Sequence, residues 1–214
     1  MKRSALPILA ILAAGMAPAA RAQAPSYQPV RVDLTFYGAY APADATSWGG
    51  GVAIEPKYNA TDHLAIGLRL EAAAFVTQDV KVSSASGTGS TNVSQGARAV
   101  TTLLAKADYY LTSSTVRPFV GLGAGLYRIG GGSQSVSGGT VVQTAQSFRG
   151  FGFAPQVGVN FGAFRLAATY HAVMGGDMVV TTQAVGATAP DTVKLSKNFF
   201  AFELGGTFGG GRHP

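Results

Sequence analysis

No cysteine occurs anywhere in the chain. That excludes disulfides, thiolate metal sites, thiol catalysis and a lipid anchor on cysteine. Charge is scarce too: Asp, Glu, Lys and Arg make up 12% of the residues, about half the usual share. Basic runs are absent. The sixteen basic residues fall to thirteen, against ten acids, once Lys2, Arg3 and Arg21 of the leader are set aside. A balance near +3 is ordinary, so no nucleic-acid partner is expected. Past Ala22 no run of eighteen apolar residues exists, so no spanning helix is available.

The leader itself reads "MKRSALPILAILAAGMAPAARAQA". Lys2 and Arg3 form a basic head, Leu6 to Ala14 a short apolar run, and Ala20-Arg21-Ala22 an Ala-x-Ala ending. Signal peptidase accepts that ending, which predicts a signal peptide over 1–22. A short periplasmic segment over 23–30 follows in this reading, then a barrel over 31–208 and a tail over 209–214. Apolar residues are 47% of the chain and glycine numbers 29. A secreted, cysteine-free, charge-poor chain without spanning helices has one membrane solution left, a closed barrel.

Alternation supports it. From Arg31 the chain runs in segments of period two, separated by turn residues. "RVDLTFYGAY" sets Val32, Leu34 and Phe36 against Arg31, Asp33 and Thr35. "GGVAIEPKYN" sets Ile54, Pro56 and Tyr58 against Glu55 and Lys57, and "LAIGLRLEAAAFV" sets Ile66, Leu68 and Leu70 against Arg69 and Glu71. "AVTTLLAKADYYL" opposes Leu103, Ala105 and Tyr109 to Lys106 and Asp108. "VRPFVGLGAGLY" opposes Val120, Leu122 and Leu126 to Gly121, Gly123 and Gly125. "FGFAPQVGVNF", "FRLAATYHAVM" and "NFFAFELGGTF" complete eight strands, with Gln156, Arg165, Thr169, His171 and Glu203 on the polar side. The connections alternate as well. "ATDH", "TSST" and Gly162-Ala163 are short. Pro42 to Trp48, Gln78 to Ala97, Gly130 to Ser147 and Gly175 to Lys197 are long and polar, and of these Gln78–Ala97 and Gly130–Ser147 read as flexible solvated spacers.

Period two does not say which face is outside. A soluble barrel points its apolar side inward and a membrane barrel does the reverse. Eight strands of Leu, Ile, Phe and Tyr would overfill a narrow lumen. The other face carries Asp33, Glu55, Glu71, Asp108 and Glu203 against Arg31, Lys57, Arg69, Lys106 and Arg165, a near-cancelling set suited to a confined interior. Aromatics gather at strand ends, with Tyr58, Tyr109, Phe161, Phe164 and Phe208 near the short turns. Tyr40, Trp48, Phe151 and Phe200 lie near the long connections. The expected fold is all-β, an eight-stranded antiparallel up-and-down transmembrane β-barrel with both termini on the short-turn side.

Gly121, Gly123 and Gly125 invite a nucleotide-loop reading. A dinucleotide fingerprint starting at Gly121 needs a glycine where Leu126 stands, and a helix after it. Neither is present. The glycines fit instead as small residues on the inner face.

The segments "RPFVGLGAGLY" and "NFFAFELGGTF" resemble the small eight-stranded outer-membrane barrel family of the OmpA/OmpX type, over Arg31 to Phe208. The resemblance implies an outer-membrane location in a Gram-negative bacterium. It also implies a terminal aromatic read by the barrel-assembly machinery. Phe208 takes that place, with "GGGRHP" beyond it. Deacylase barrels of this kind carry a lipid-facing His with Ser two positions later, where this chain has Val173. The acyltransferase barrels place a His in an extracellular loop, and the four long connections here contain none. The protease barrels have ten strands.

No enzyme activity, cofactor or metal site is therefore expected. His63 lies in a short turn and His213 in the tail, and His171 reads as a lumen residue hydrogen-bonded to a carboxylate. The expected interior network is Asp33, Glu55, Lys57, Arg69, Glu71, Lys106, Asp108, Arg165, His171 and Glu203. It closes the lumen and leaves a structural or surface-interaction role. Expected partners are membrane lipid, lipopolysaccharide, the barrel-assembly machinery and an extracellular molecule met through the long connections. The alternatives are a soluble secreted barrel binding a small apolar ligand, a small-solute channel, and a lipid-modifying enzyme.

Overall fold

The computed structural model describes residues 28–42, 47–77, 80–83, 90–93, 96–137, 140–175, 178–182, 191–195 and 197–210. The leader over 1–22 and the end of the tail, 211–214, lie outside the described residues. In chain order the strands are β1 (Val30–Ala41), β2 (Ser47–Asn59), β3 (Leu64–Thr77), β4 (Val80–Ser83), β5 (Ser90–Val93) and β6 (Gly96–Tyr110). They continue with β7 (Val116–Ser137), β8 (Thr140–Phe161), β9 (Phe164–Val173), β10 (Met178–Thr182), β11 (Asp191–Leu195) and β12 (Phe199–Gly209). Eight of them close into an antiparallel barrel in the order β1-β12-β9-β8-β7-β6-β3-β2. Closure is made by β1 against β12, from Arg31↔Gly209 to Tyr40↔Phe200, so no sheet edge is left to lipid.

The eight barrel strands turn their charged residues inward, except Arg128 of β7 and Arg149 of β8, which are exposed. Burial alternates residue by residue along β1, with Arg31, Asp33 and Thr35 buried while Leu34 and Phe36 stand exposed. Leu68 is 52% exposed, whereas its neighbour Arg69 is 1% exposed. Ile54, Leu70, Leu122, Val157, Phe202 and Leu204 also face outward. An inverted protein of this kind places its hydrophobic surface against lipid rather than in a core. It also disposes of the soluble alternative, because the apolar residues a ligand would need are on the wrong side of the wall. The inner apolar residues are fewer and lie mainly toward the long-connection end, around Tyr37, Phe75, Leu104, Tyr127, Ile129 and Phe199.

The outer aromatics form rows. Trp48, Tyr40, Phe200 and Tyr170 are successive register partners across β2, β1, β12 and β9. Tyr40–Trp48 and Tyr170–Phe200 each bring their ring centroids to 4.7 Å. At the short-turn end Tyr58, Tyr109, Phe164 and Phe208 are exposed. The tightest turn there is Gly162-Ala163, where Gly162 has φ +58°, a conformation glycine enters without steric cost.

Two of the long connections contain strand pairs of their own. β4 pairs with β5 from Val80↔Val93 to Ser83↔Ser90, and β10 with β11 from Met178↔Leu195 to Thr182↔Asp191. The connection expected over Gly130 to Ser147 is strand for nearly its whole length. There β7 and β8 stay in register out to Ser137↔Thr140. Reading Gln78–Ala97 and Gly130–Ser147 as flexible spacers is thus corrected. Small polar residues pair well enough when a hairpin holds their register, and Gly138-Gly139 between Ser137 and Thr140 is a two-residue hairpin signal in the sequence.

Candidate functional site

The barrel interior concentrates the chain's polar chemistry. Its lower layer, toward the short turns, is built on Asp33 of β1 and Asp108 of β6. Asp33 accepts from Lys57 Nζ at 2.8 Å and from Thr207 Oγ1 at 2.8 Å. Arg31 and Arg165 each approach Asp33 to 3.4 Å. Asp108 pairs with Lys57, with Arg165 Nη2 at 3.1 Å and with Lys106 Nζ at 3.3 Å. Glu55 of β2 sits between the two lysines, 2.6 Å from Lys57 Nζ and 2.7 Å from Lys106 Nζ.

The layer above is organised by Arg69 of β3. It donates to Glu203 of β12 through Nη1 at 2.9 Å and Nη2 at 2.8 Å, and to Glu71 through Nε. Its Nη1 also lies 3.3 Å from Glu55, which joins the two layers. Thr102 Oγ1 donates to Glu71 at 2.6 Å. Gln156 Nε2 donates to Glu203 at 2.9 Å, and Thr169 Oγ1 donates to the same carboxylate. Arg165 meets Gln156 Oε1 at 2.7 Å and lays its guanidinium 4.0 Å above the Phe119 ring. Five cations and five carboxylates thus interlock, and every one of them is buried. Desolvating so many ions is tolerable only because each has partners of opposite sign.

Period two explains how the residues meet. On β6 Lys106 and Asp108 are two apart, and on β7 their register partners are Gly123 and Gly121. A Cβ added at Gly121 would run into Asp108 Oδ1, and one at Gly123 would press on Leu104 and Ala154. The glycine row is therefore clearance for the charged row beside it.

His171 of β9 lies elsewhere in the interior, fully buried. Its Nδ1 and the Tyr127 hydroxyl are hydrogen-bonded at 3.0 Å, and its ring stacks on Phe199 at a centroid distance of 4.1 Å. The expected carboxylate partner is corrected to a tyrosine. Glu71 Oε2 stands 3.8 Å away, beyond hydrogen-bond reach, because Thr102 and Arg69 already hold it.

The sequence reading missed two inward arginines. Arg98 stacks on Phe75 at 4.6 Å. Arg117 stacks on Tyr110 at 4.0 Å and donates to the Asp62 carbonyl. Parity could have found both. Arg98 shares its face with Thr102 and Lys106, and Arg117 with Phe119 and Gly121. At the short-turn mouth a cavity of about 260 Å³ is lined by Arg31, Arg117, Asn160 and Thr207. The oxygens of Asp33, Glu55 and Asp108 lie within 4.8 Å of one another, a spacing that would suit a cation. Lys57, Lys106 and Arg165 already neutralise them, so the cluster implies no metal.

A lipid-facing apolar wall around a charged interior, closed by eight antiparallel strands, agrees with the family model for the outer membrane protein beta-barrel domain, which matches residues 7–208. The chain belongs to that family. It is an outer-membrane protein of a Gram-negative bacterium. Among solved structures, the family member resembles a major outer membrane protein from Thermus thermophilus at a TM-score of 0.52 and 13% identity, over 83% of this chain and 98% of that one. At that identity the likeness speaks for the fold alone. Neisserial surface protein A matches at 19% identity and TM-score 0.46, over 86% of this chain and 98% of its own. Ail, the attachment invasion locus protein of Yersinia pestis, matches at 13% and 0.41, over 85% and 99%. No curated protein sequence matches this outer-membrane barrel.

Proposed function

We propose that this outer-membrane barrel has a structural or surface-interaction role and that its lumen is closed to solutes. The observation that carries the reading is the interlocked set of five cations and five carboxylates filling the interior. Side chains of an eight-stranded barrel reach its axis, and here those that do so are bound to one another. A solute would have to break several buried ion pairs to pass. His171 serves packing, since it is fully buried and enclosed by Tyr127 and Phe199.

Surface interaction falls to the long-connection end. The β7–β8 ladder runs beyond the last β6–β7 pair, Gly96↔Ser133, as a two-stranded ribbon ending at Ser137↔Thr140. With the β4–β5 and β10–β11 pairs it gives this end backbone edges for an extracellular partner. Lipid surrounds the apolar wall, and the C-terminal strand ending at Phe208-Gly209 is the segment offered to the barrel-assembly machinery.

Planar-bilayer recording tests the closed lumen. The reconstituted protein is expected to give no stable openings in molar salt. Stable, reproducible openings would overturn the reading.

A further inference from the structure

The outer wall of the barrel is almost free of charge, and its two exceptions are neighbours. Among the described residues of the eight barrel strands, Arg128 of β7 and Arg149 of β8 are the charged side chains that face outward. They are register partners, directly opposite one another. Like charges so placed across an antiparallel pair repel. Neither has a hydrogen bond, ion pair or ring contact among the described residues. Two such guanidiniums side by side call for an anion.

Their height on the wall says which anion. On β7 the exposed apolar positions run from Val116 to Leu126, and on β8 from Phe161 to Phe151, ten steps in each case. At about 3.3 Å per step and a tilt of about 40°, ten steps rise roughly 25 Å, the height of the apolar band of such barrels. Arg128 and Arg149 are the next outward positions beyond Leu126 and Phe151. They stand just past the hydrocarbon on the long-connection side, at the level of the outer-leaflet head groups. A groove of about 460 Å³ on this wall has Leu103 and Leu126 on its apolar side and Arg128 and Arg149 on its basic side. Leu126 is 62% exposed. The polarity of the groove is that of an amphiphile, with acyl chain below and phosphate above.

We propose that Arg128 and Arg149 form a binding site for the phosphate of an outer-leaflet glycolipid, with the acyl chain lying along Leu103 and Leu126. Arginine forks suit phosphate because each donates two parallel N–H bonds to its oxygens. The proposal rests on the outer-membrane placement and not on the closed lumen.

The test uses the full mature protein, refolded in zwitterionic micelles, with the barrel verified by its heat-dependent gel mobility. Binding of lipid A with both phosphates is compared with binding of its dephosphorylated form, of phosphatidylglycerol and of inorganic phosphate. The proposal expects the doubly phosphorylated glycolipid to bind best. The double variant Arg128→Gln/Arg149→Gln should lose about ten-fold or more in that affinity, because two charged hydrogen-bonding forks are removed. Should the double variant not fold, Arg128→Gln and Arg149→Gln alone are each expected to show an intermediate loss. Unchanged affinity in the folded variants, or equal binding of the dephosphorylated glycolipid, would overturn the site. Equal binding of phosphatidylglycerol or of phosphate alone would overturn the assignment to glycolipid. Failure of the wild-type barrel to fold in micelles would instead count against the barrel reading, so the two failures are distinct.

Discussion

Arg69 and Glu203 join β3 to β12 by two parallel bonds of 2.9 and 2.8 Å, although β2 and β1 separate those strands around the wall. The pair spans the interior rather than bracing adjacent strands. Each partner also serves others: Arg69 reaches Glu55 and Glu71, and Glu203 accepts from Gln156 and Thr169.

Removing one side of this pair leaves ions stranded in the interior. Arg69→Met is expected to lower the unfolding free energy by about 3–5 kcal/mol, the usual loss when a buried pair is broken. Glu203→Gln keeps the shape and some hydrogen bonds and should cost less. The double variant should be less destabilised than the sum, with a coupling of about 1–3 kcal/mol. Urea unfolding in lipid vesicles, followed by gel mobility, measures all three. Additive losses would show that the two side chains do not act together.

Glycine at position 125 leaves room for the neighbouring β6 backbone. A Cβ there would collide with the Leu103 carbonyl and Leu104 Cα, whereas a Cβ at Gly130 meets nothing within 4 Å. Gly125→Ala is expected to destabilise the barrel by about 1–3 kcal/mol, as overpacking does. Gly130→Ala should stay within about 0.5 kcal/mol of wild type. Equal effects in the same unfolding assay would contradict the clearance argument.

Beyond Ser133 the β7–β8 ribbon pairs with no barrel strand through the β6 ladder. Joining Gln134 to Gln143 by an Asn-Gly turn in place of the residues between them should therefore shift Tm by less than about 3 °C, since a two-stranded ribbon outside the closed barrel adds little stability to it. A fall much larger than that would mean the ribbon supports the barrel itself.

His171→Ala opens a hole beside Phe199 and strips the Tyr127 hydroxyl of its partner. The expected loss is about 1–3 kcal/mol of stability. Lipid A mass spectra of cells carrying the variant should be identical to wild type. A change in acylation would give His171 a chemical role.

Much of this was legible from periodicity. Alternation in "RVDLTFYGAY" or "LAIGLRLEAAAFV" separates lipid-facing from inward residues, because a membrane strand has two unlike environments and only two faces. The interior charges followed from the same parity. Apart from Arg98 and Arg117, which the same parity places inside, what escaped lies where parity is silent or the composition misleads. "GGGSQSVSGGTVVQTAQS" has few large side chains, yet it pairs along its length, since backbone register rather than side-chain burial organises it. The His171 contact with Tyr127 joins β9 to β7 across β8, a proximity fixed by barrel curvature and not by spacing. Arg128 and Arg149 fall near the expected boundary of a long connection, where an arginine excites no remark. Their significance depends on the register that makes them opposite.

The defining property of this barrel is which set of side chains meets lipid. A chain without cysteine permits single probes, so bimane can be attached at Leu122→Cys, on the outer wall, and at Thr169→Cys, on the inner. In vesicles of acyl-brominated phospholipid the probe at 122 should be strongly quenched, and the probe at 169 should keep its emission. Strong quenching at 169 with none at 122 would contradict the account.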